Sequence, residues 1–216
     1  MHEDDARAEI CRVGATLFER GYIHGTTGNI SVRLDEGYLI TPTDACLGLL
    51  RPERLALIDT DGVQLAGDRA SKTIALHRQI YAADPTAGCI IHTHSREIVA
   101  ASFETRPQYA DLLPPITPYQ VMKVGRTPVI AYSVPSSPAT AEHVGRLTAA
   151  RLRQGHPVRS VVLARLGTNV WHQNPTTAMA LLEELEETAL LWNRLRPSPL
   201  PPEALTELAE RFGCTW

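Results

Sequence analysis

The sequence has few of the features that mark disulfide-rich proteins. Its 216 residues include only four cysteines, which stand far apart and form no CxxC pair. Cysteines placed in this way are typical of free thiols in a reducing compartment, and they argue against a disulfide framework. The four positions are Cys11, Cys46, Cys89 and Cys214.

The sequence also lacks an excess of charge and a long apolar run. Lysine and arginine together number 21 and aspartate and glutamate 24, which gives a formal net charge of −3. Such a balance provides no global attraction to nucleic acid or to an acidic membrane surface. No apolar run is long enough to span a bilayer, and the acidic N-terminal segment MHEDDARAEI contains no apolar signal core. We therefore expect a cytoplasmic protein with neither nucleic acid nor a membrane as a partner.

The patterning that is present favours one α/β domain over residues 1–216. Apolar positions recur with helical spacing over residues 5–20. Two pairs of short strand-like runs follow, joined by turns at Asp35-Glu36-Gly37 and Asp61-Gly62. Helical and strand patterns then alternate until a proline-rich linker that precedes a short terminal helix. Early hairpins followed by alternating elements predict a mixed sheet covered by helices.

Two histidines stand one residue apart where an apolar run ends, in the segment GCIIHTHSRE. Side chains alternate along a strand, so His92 and His94 share a face, with their bases about 7 Å apart. From that separation two imidazoles can converge on one metal ion. The apolar run predicts a buried strand, and ligands commonly bind at strand ends in α/β folds. A sheet edge that simply carries two histidines is the alternative.

Three turns rich in hydroxyl and amide donors precede this strand. They are GTTGNIS, TPTDA and RASKT, and they contribute Gly28, Asn29, Thr43, Ser71 and Lys72. We expect a helix to begin at Lys72 with Ser71 as its N-cap, and the unpaired N–H groups of a helix start bind anions. Gly28 allows close backbone approach, and Lys72 adds a positive charge. Each segment alone is most simply a turn or a cap, but together they predict a phosphate pocket beside a metal.

The order of these motifs resembles that of the class II aldolase/adducin family. TTGNIS, TPTDACLG, SK before LHRQIY, HTH and TPYQVMKVG follow one another at compatible spacings, within a resemblance that runs from about Arg7 to Thr188. The resemblance implies a three-layer α/β/α sandwich with a central mixed, largely antiparallel sheet. It also implies a homotetramer with the active site at the subunit interface, a divalent metal, usually zinc, and a small phosphorylated sugar-acid substrate.

The resemblance implies roles for individual residues as well. The positions that cradle phosphate in the family correspond to Gly28, Asn29, Thr43, Ser71 and Lys72. His92 and His94 correspond to two metal ligands. Tyr119 corresponds to a tyrosine that many members supply across an interface as a proton donor.

Two positions depart from the family's pattern. The family usually carries a catalytic glutamate where this chain has Thr73, and a third metal-binding histidine where it has Leu166. Two imidazoles fall short of the three protein ligands usual for catalytic zinc. His172 lies six residues beyond Leu166, about 20 Å along an extended strand, so His24 beside TTGN is the better substitute. Otherwise water or substrate oxygens complete the shell, and we expect weaker metal binding than in three-histidine relatives.

The departure at Thr73 bears on the reaction. Aldol cleavage needs a base to remove a hydroxyl proton, whereas loss of CO2 from a β-keto acid itself generates the enediolate. That charge needs stabilisation and then one proton, for which Tyr119 is the candidate; the alternative is that Tyr119 is a packed interface aromatic. Thr73 then serves as a hydroxyl donor or as a helix-start residue. SKTIALHRQIYA, PPITPYQVMKVG and LEELEETA most resemble members that decarboxylate 3-oxo-tetronate 4-phosphate to dihydroxyacetone phosphate. A sugar-phosphate aldolase and a non-catalytic, adducin-like binding module are the alternatives.

Overall fold

The computed structural model describes residues 2–103 and 111–216 of the chain. Within this part, eight strands form one sheet. They are β1 Asn29–Leu34, β2 Gly37–Ile40, β3 Ala56–Ile58, β4 Gln64–Ala66, β5 Cys89–Thr93, β6 Val129–Ile130, β7 Ser160–Leu163 and β8 Gly167–His172. Their order across the sheet is β4-β3-β2-β1-β5-β8-β7-β6. Neighbouring strands are antiparallel except for β6 and β7, which are parallel.

Helices cover both faces of this sheet. The described α-helices are α1 Glu3–Glu19, α2 Ile74–Ala83, α3 Arg96–Ser102, α4 Pro138–Arg153, α5 Pro175–Leu195 and α6 Pro202–Phe212, of which α6 adds no residue to the core. One apolar cluster joins α1, α3 and α5 to one face of the sheet, and a second joins α2 and α4 to the other. This arrangement confirms the predicted three-layer α/β/α sandwich with a mixed, largely antiparallel sheet.

The apolar spacing of the sequence accounts for the helices that hold the sheet. In α1, Ile10, Val13 and Leu17 are fully buried along one face, as helical periodicity predicts. In α5, Asn174 and Thr177 form a reciprocal capping box that fixes the start of the helix. Among the described helices, none combines the length and the apolar character needed to cross a bilayer.

Both predicted hairpins are present. The first joins β1 to β2 and closes with Leu34 opposite Gly37, and the second joins β3 to β4. The predicted start of α2 is wrong by two residues. The helix begins at Ile74 with Thr73 in the cap position, because Ser71 and Lys72 lie in a tighter turn, in which the Ser71 carbonyl oxygen accepts from the Ile74 N–H.

Strand β5 lies near the centre of the sheet, and all five of its residues are buried. Ile91 packs into the cluster beneath α1, α3 and α5, while Ile90 packs into the cluster beneath α2 and α4. The strand therefore carries His92 from the middle of the core toward its C-terminal end, and His94 follows directly after the strand, where a ligand can reach both.

Candidate active site

A cleft of about 490 Å³ opens beside the end of β5. Pockets of a few hundred Å³ accommodate small-molecule ligands. The segments that line it are the turn at 26–29, the loop at 42–44, the start of α2 at 71–76, the end of β5 at 92–94, the loop at 133–137 and residues 163–169 beside β8.

Three polar side chains form a row across the sheet at the base of this cleft. The strand register pairs Asn29 of β1 with His92 of β5, and His92 with Asn169 of β8. Directly paired residues point to the same face of a sheet, and all three of these residues line the cleft. Asn29 and His92 are each 5% exposed and Asn169 is 0% exposed. Burying such groups is costly unless they find partners, so the row marks a candidate binding site.

His92 and His94 face each other through their ring nitrogens. Their Nε2 atoms lie 3.2 Å apart, and the ring planes meet at 75°. His92 Nδ1 lies 2.8 Å from the carbonyl oxygen of Thr168. Because a carbonyl oxygen only accepts, His92 carries its proton on Nδ1, and its Nε2 accepts from His94 Nε2–H. In the other tautomer of His94, both Nε2 lone pairs are available to a ligand.

The protein environment favours the neutral form of both rings. The pKa of His92 is lowered to about 4, mainly by burial and in part by the neighbouring charge of His94. Burial also lowers the pKa of His94, with a smaller contribution from the charge of His24. Neutral imidazole is the form that coordinates metals, so the pair is prepared for a cation at neutral pH.

The geometry of this pair fits a divalent metal. Two nitrogen ligands on a tetrahedral zinc ion stand about 3.3 Å apart, close to the 3.2 Å between the two Nε2 atoms. A backbone carbonyl on the far ring nitrogen, as Thr168 provides for His92, is the usual support of a metal-bound histidine. Within residues 2–103 and 111–216, no group of three His, Cys, Asp or Glu side chains could hold a metal. Any further donor must therefore be of another kind.

Neither of the other two histidines considered from the sequence completes the site. His172 pairs with Cys89 at the far end of the ladder between β5 and β8, three residues along from the pair that contains His92. Alternation along the strand places its side chain on the opposite face. His24 is exposed and influences the pKa of His94 without lining the cleft. Leu166 does line the cleft, but its side chain cannot coordinate a metal.

The residues expected to hold phosphate are brought together at the cleft. All five line it: Gly28, Asn29, Thr43, Ser71 and Lys72. Gly28 has φ +80°, and a Cβ atom there would lie 2.8 Å from the His92 carbonyl oxygen, so glycine alone allows this approach. Among the described residues that line the cleft, Lys72 carries the one formal positive charge and Asp44 the one carboxylate.

Thr73 lies beside the buried polar row. Its hydroxyl oxygen accepts a hydrogen bond from the Asn29 amide nitrogen at 3.2 Å. A threonine hydroxyl is a donor and an acceptor, with no ionised form available as a base at neutral pH. The cleft thus offers a neutral hydrogen-bonding group at residue 73.

A buried histidine of α2 packs over the same part of the sheet. His77 Nδ1 lies 2.7 Å from Ser31 Oγ, which in turn lies 2.8 Å from the Tyr81 hydroxyl. Burial lowers the pKa of His77 to about 3, with the charge of His92 adding to this and the Asn169 side chain opposing it. His77 is therefore a neutral neighbour of both His92 and Asn169.

Two groups of cleft residues were not predicted from the sequence. The first is the loop before α4 together with the first turn of that helix, which supply Ser133, Ser136, Ser137 and Thr140. The Thr140 hydroxyl donates to Ser133 Oγ at 2.7 Å, and the Ser-Ser-Pro sequence at this helix start was the available signal. The second is Asn169, whose position depends on the pairing of β8 with β5 and leaves no local signal.

Tyr119 lies apart from the cleft within one copy of the chain. Its side chain is 60% exposed, and it directly precedes a short π-helical turn, Gln120–Val124. An exposed position is compatible with the predicted role across a subunit interface, which stays a prediction.

Comparison with known proteins agrees with the fold and the order of the motifs. Residues 8–192 match the family model described as Class II Aldolase and Adducin N-terminal domain. The chain is 48% identical to the 3-oxo-tetronate 4-phosphate decarboxylase of Cupriavidus necator, with 99% of each chain covered. It is 34% identical to the protein of the same name from Escherichia coli, with 96% of this chain and 95% of that protein covered.

A solved structure supports the same assignment. The crystal structure of YgbL from Klebsiella pneumoniae has a TM-score of 0.86 and 35% sequence identity. The match covers 96% of this chain and 99% of the other. With the motifs, the sandwich fold and the family match in agreement, the chain belongs to the class II aldolase and adducin family.

Proposed function

We propose that the protein is a metal-dependent decarboxylase that converts 3-oxo-tetronate 4-phosphate to dihydroxyacetone phosphate and CO2. The observation that carries this proposal is the neutral His92–His94 pair, whose Nε2 atoms converge at 3.2 Å beside a cleft lined by phosphate-type donors. Similarity along the whole chain to proteins named as this decarboxylase supports the choice of substrate.

The donor-rich side of the cleft would hold the substrate's phosphate. Lys72 supplies the positive charge, while Ser71 and Thr43 supply hydroxyl groups at the same cleft. Gly28 lets the backbone of its turn approach β5 closely. Hydrogen bonds to a charged phosphate are stronger than those between neutral groups, so this side would fix the substrate's orientation.

His92 and His94 would hold the metal through their Nε2 atoms, and we propose zinc as the ion. The family generally uses a divalent metal. When bound, the metal supplies a Lewis acid that stabilises the negative charge left on the substrate as CO2 departs. The Thr168 carbonyl oxygen keeps His92 in the tautomer that presents Nε2 to the cleft.

The remaining steps fall to the chain's own groups. Cleavage of the bond between the carboxyl carbon and C2 leaves an electron pair on the substrate, so no base is needed to start the reaction. A hydrogen-bonding Thr73 is consistent with that requirement. Protonation of C2 completes the product, and we propose that Tyr119 of a neighbouring copy donates this proton. The exposure of Tyr119 leaves it available for such a contact.

The alternatives differ in what they require of the cleft. An aldolase needs a base near the reacting hydroxyl. Among the described cleft residues, only Asp44 carries a carboxylate, and it lies on an exposed turn. A non-catalytic binding module is consistent with Thr73 and Leu166 but gives no reason for the converging histidines.

Two parallel assays separate these functions. We expect the purified protein to release CO2 from 3-oxo-tetronate 4-phosphate and to leave a ketose 1-phosphate uncleaved. Aldehyde formation from the ketose 1-phosphate without CO2 release would establish the aldolase instead. If neither CO2 nor aldehyde is formed and the protein binds no metal, the protein is the binding module.

Metal content provides a second check on the same site. Replacing His92 and His94 together with alanine should abolish stoichiometric metal binding. His156→Ala removes an exposed imidazole and should leave the metal content at the wild-type level. Retention of wild-type stoichiometry in the double variant contradicts the assignment.

The proposal extends to the assembly and location of the protein. We propose a homotetramer in which Tyr119 reaches a neighbouring site, and a monomer that is fully active at micromolar concentration in sedimentation experiments would contradict it.

The four free cysteines support a reducing, cytoplasmic location. We also propose that residues 1–216 form one domain, since every described strand belongs to a single sheet.

A further inference from the structure

Several buried polar atoms near the histidine pair have no hydrogen-bond partner. They belong to three neighbouring side chains: Asn29 Oδ1, His77 Nε2, and both Oδ1 and Nδ2 of Asn169. Most buried polar groups in folded proteins are paired. An unpaired buried amide is costly, and Asn169 leaves both of its ends unpaired while being 0% exposed. Such a side chain is suited to a ligand that is held in the cleft.

The position of Asn169 indicates which ligand it would meet. Asn169 is the direct cross-strand partner of His92, which places their Cβ atoms about 5 Å apart on one face of the sheet. Both side chains line the cleft. His77 lies on the other side of the amide. The contact does not have the geometry of a normal hydrogen bond, but through it the Asn169 side chain raises the pKa of His77. The amide therefore stands between a neutral imidazole and the histidine pair.

We infer that the Asn169 amide oxygen is the third protein donor for the divalent cation held by His92 and His94, an inference that rests on the metal site of the proposed function. Leu166 occupies the place where three-histidine relatives have their third ligand, and it cannot coordinate. Asn169 lines the same cleft and lies on the same sheet face as His92, on the neighbouring strand β8. With a cation bound, the amide oxygen faces the ion and the amide N–H group can turn toward His77 Nε2.

A donor set of two imidazole nitrogens and one amide oxygen differs from three imidazoles in the metal ions that it favours. An amide oxygen is a harder ligand than imidazole, and hard oxygen ligands favour Mn²⁺ and Mg²⁺, whereas imidazole favours zinc and other transition metals. Removal of the amide should therefore weaken the binding of Mn²⁺ more than the binding of Zn²⁺. A merely structural asparagine would show no such dependence on the ion.

The test measures metal binding by the full-length protein after treatment with a chelator. Mn²⁺ binding is followed by the loss of the electron paramagnetic resonance signal of the free ion, and Zn²⁺ binding by competition with a chromogenic chelator. Asn169→Val removes the amide at similar size, and Asn169→Asp replaces it with a charged oxygen donor. Thr148→Val is the matched control, because Thr148 is also buried with an unpaired oxygen but does not line the cleft.

We expect Asn169→Val to weaken Mn²⁺ binding at least about tenfold, the scale of losing one supporting group at a metal site. Asn169→Asp should bind Mn²⁺ at least as tightly as the wild type, and Thr148→Val should bind it equally. The metal-free Asn169→Val protein should keep or raise its midpoint of thermal unfolding, because two unpaired polar atoms are removed.

Three results would overturn the inference: equal Mn²⁺ affinity in Asn169→Val and wild type, weaker binding in Asn169→Asp, or unfolding of metal-free Asn169→Val, which would assign Asn169 a structural role. The last two are read independently, so a variant that fails to fold still leaves a decisive measurement. If the wild type binds neither ion, the metal site of the proposed function fails as well. If the wild type binds and only the Asn169 result is negative, the failure belongs to this inference alone.

Discussion

Replacing Thr73 tests the chemistry of the reaction most directly. In Thr73→Ala the Asn29 amide nitrogen loses its acceptor at 3.2 Å, and Asn29 Oδ1 is already without a partner. The loss amounts to one neutral hydrogen bond, about 1–1.4 kcal/mol, which corresponds to a decrease in rate of up to about tenfold. Removal of a general base would instead cost about 10²- to 10⁴-fold. The two explanations thus differ by at least an order of magnitude.

The assay follows CO2 release from 3-oxo-tetronate 4-phosphate at several substrate concentrations and pH values. Thr73→Ser retains the hydroxyl and should stay close to the wild type, whereas Thr73→Val keeps the shape without the hydroxyl and should match Thr73→Ala. The shape of the pH–rate profile should not change in any variant, since no titrating group is removed. A decrease above about a hundredfold in the alanine and valine variants, with recovery in the serine variant, would show that the hydroxyl takes part in proton transfer and would refute this reasoning.

Three further predictions concern charge, the third ligand and acid stability. Lys72→Ala should weaken the binding of phosphorylated substrate by about 1–3 kcal/mol, with the exposed Arg153→Ala as a charge-matched control; equal kinetics in wild type and Lys72→Ala would leave Lys72 as a solvated lysine. Leu166→His should place an imidazole in the cleft and tighten Zn²⁺ binding in a chelator competition, and unchanged affinity would show that the imidazole cannot reach the ion. His77 has a folded-state pKa of about 3, below its unfolded value, so the unfolded state binds the additional proton as pH falls below about 6.5. Stability should then decrease by about 1.4 kcal/mol per pH unit for this residue down to its folded pKa. Denaturant unfolding of His77→Gln at pH 7 and pH 5 should show a smaller decrease than wild type, and identical decreases would exclude the contribution of His77.

Local patterns predicted the parts of the fold that local forces determine. The hairpin turns at Asp35-Glu36-Gly37 and Asp61-Gly62 and the buried strand before His92 all appear as expected. The helix start was misplaced by two residues, because residues 71–74 form a tighter turn closed by the Ile74 N–H on the Ser71 carbonyl oxygen, while the Ser71 N–H is held by Thr41, thirty residues earlier. Hydrogen bonds between distant segments leave no trace in a short window of sequence.

In the candidate site too, local spacing predicted some residues, while others depend on contacts between distant segments. The spacing of His92 and His94 predicted a shared face, and the structure brings their nitrogens together. Asn169 escaped notice because β8 is buried along nearly its whole length and therefore shows no alternation of polar and apolar residues. Only the register of β8 against β5 places its amide beside His92. The place of Asn169 in the site is set by the pairing of β8 with β5, and the composition of β8 alone does not indicate it.

The close approach of Gly28 to β5 has a consequence for how two ligands would affect each other. The Gly28 backbone lies so near the His92 carbonyl oxygen that no Cβ fits between them, and the next residue, Asn29, pairs with His92 in the sheet. The turn expected to hold phosphate and the strand expected to hold the metal therefore cannot shift independently. Binding at either place would be thermodynamically linked to binding at the other, and linkage is reciprocal. If bound metal raises the affinity for inorganic phosphate by a given factor, bound phosphate must raise the affinity for the metal by the same factor.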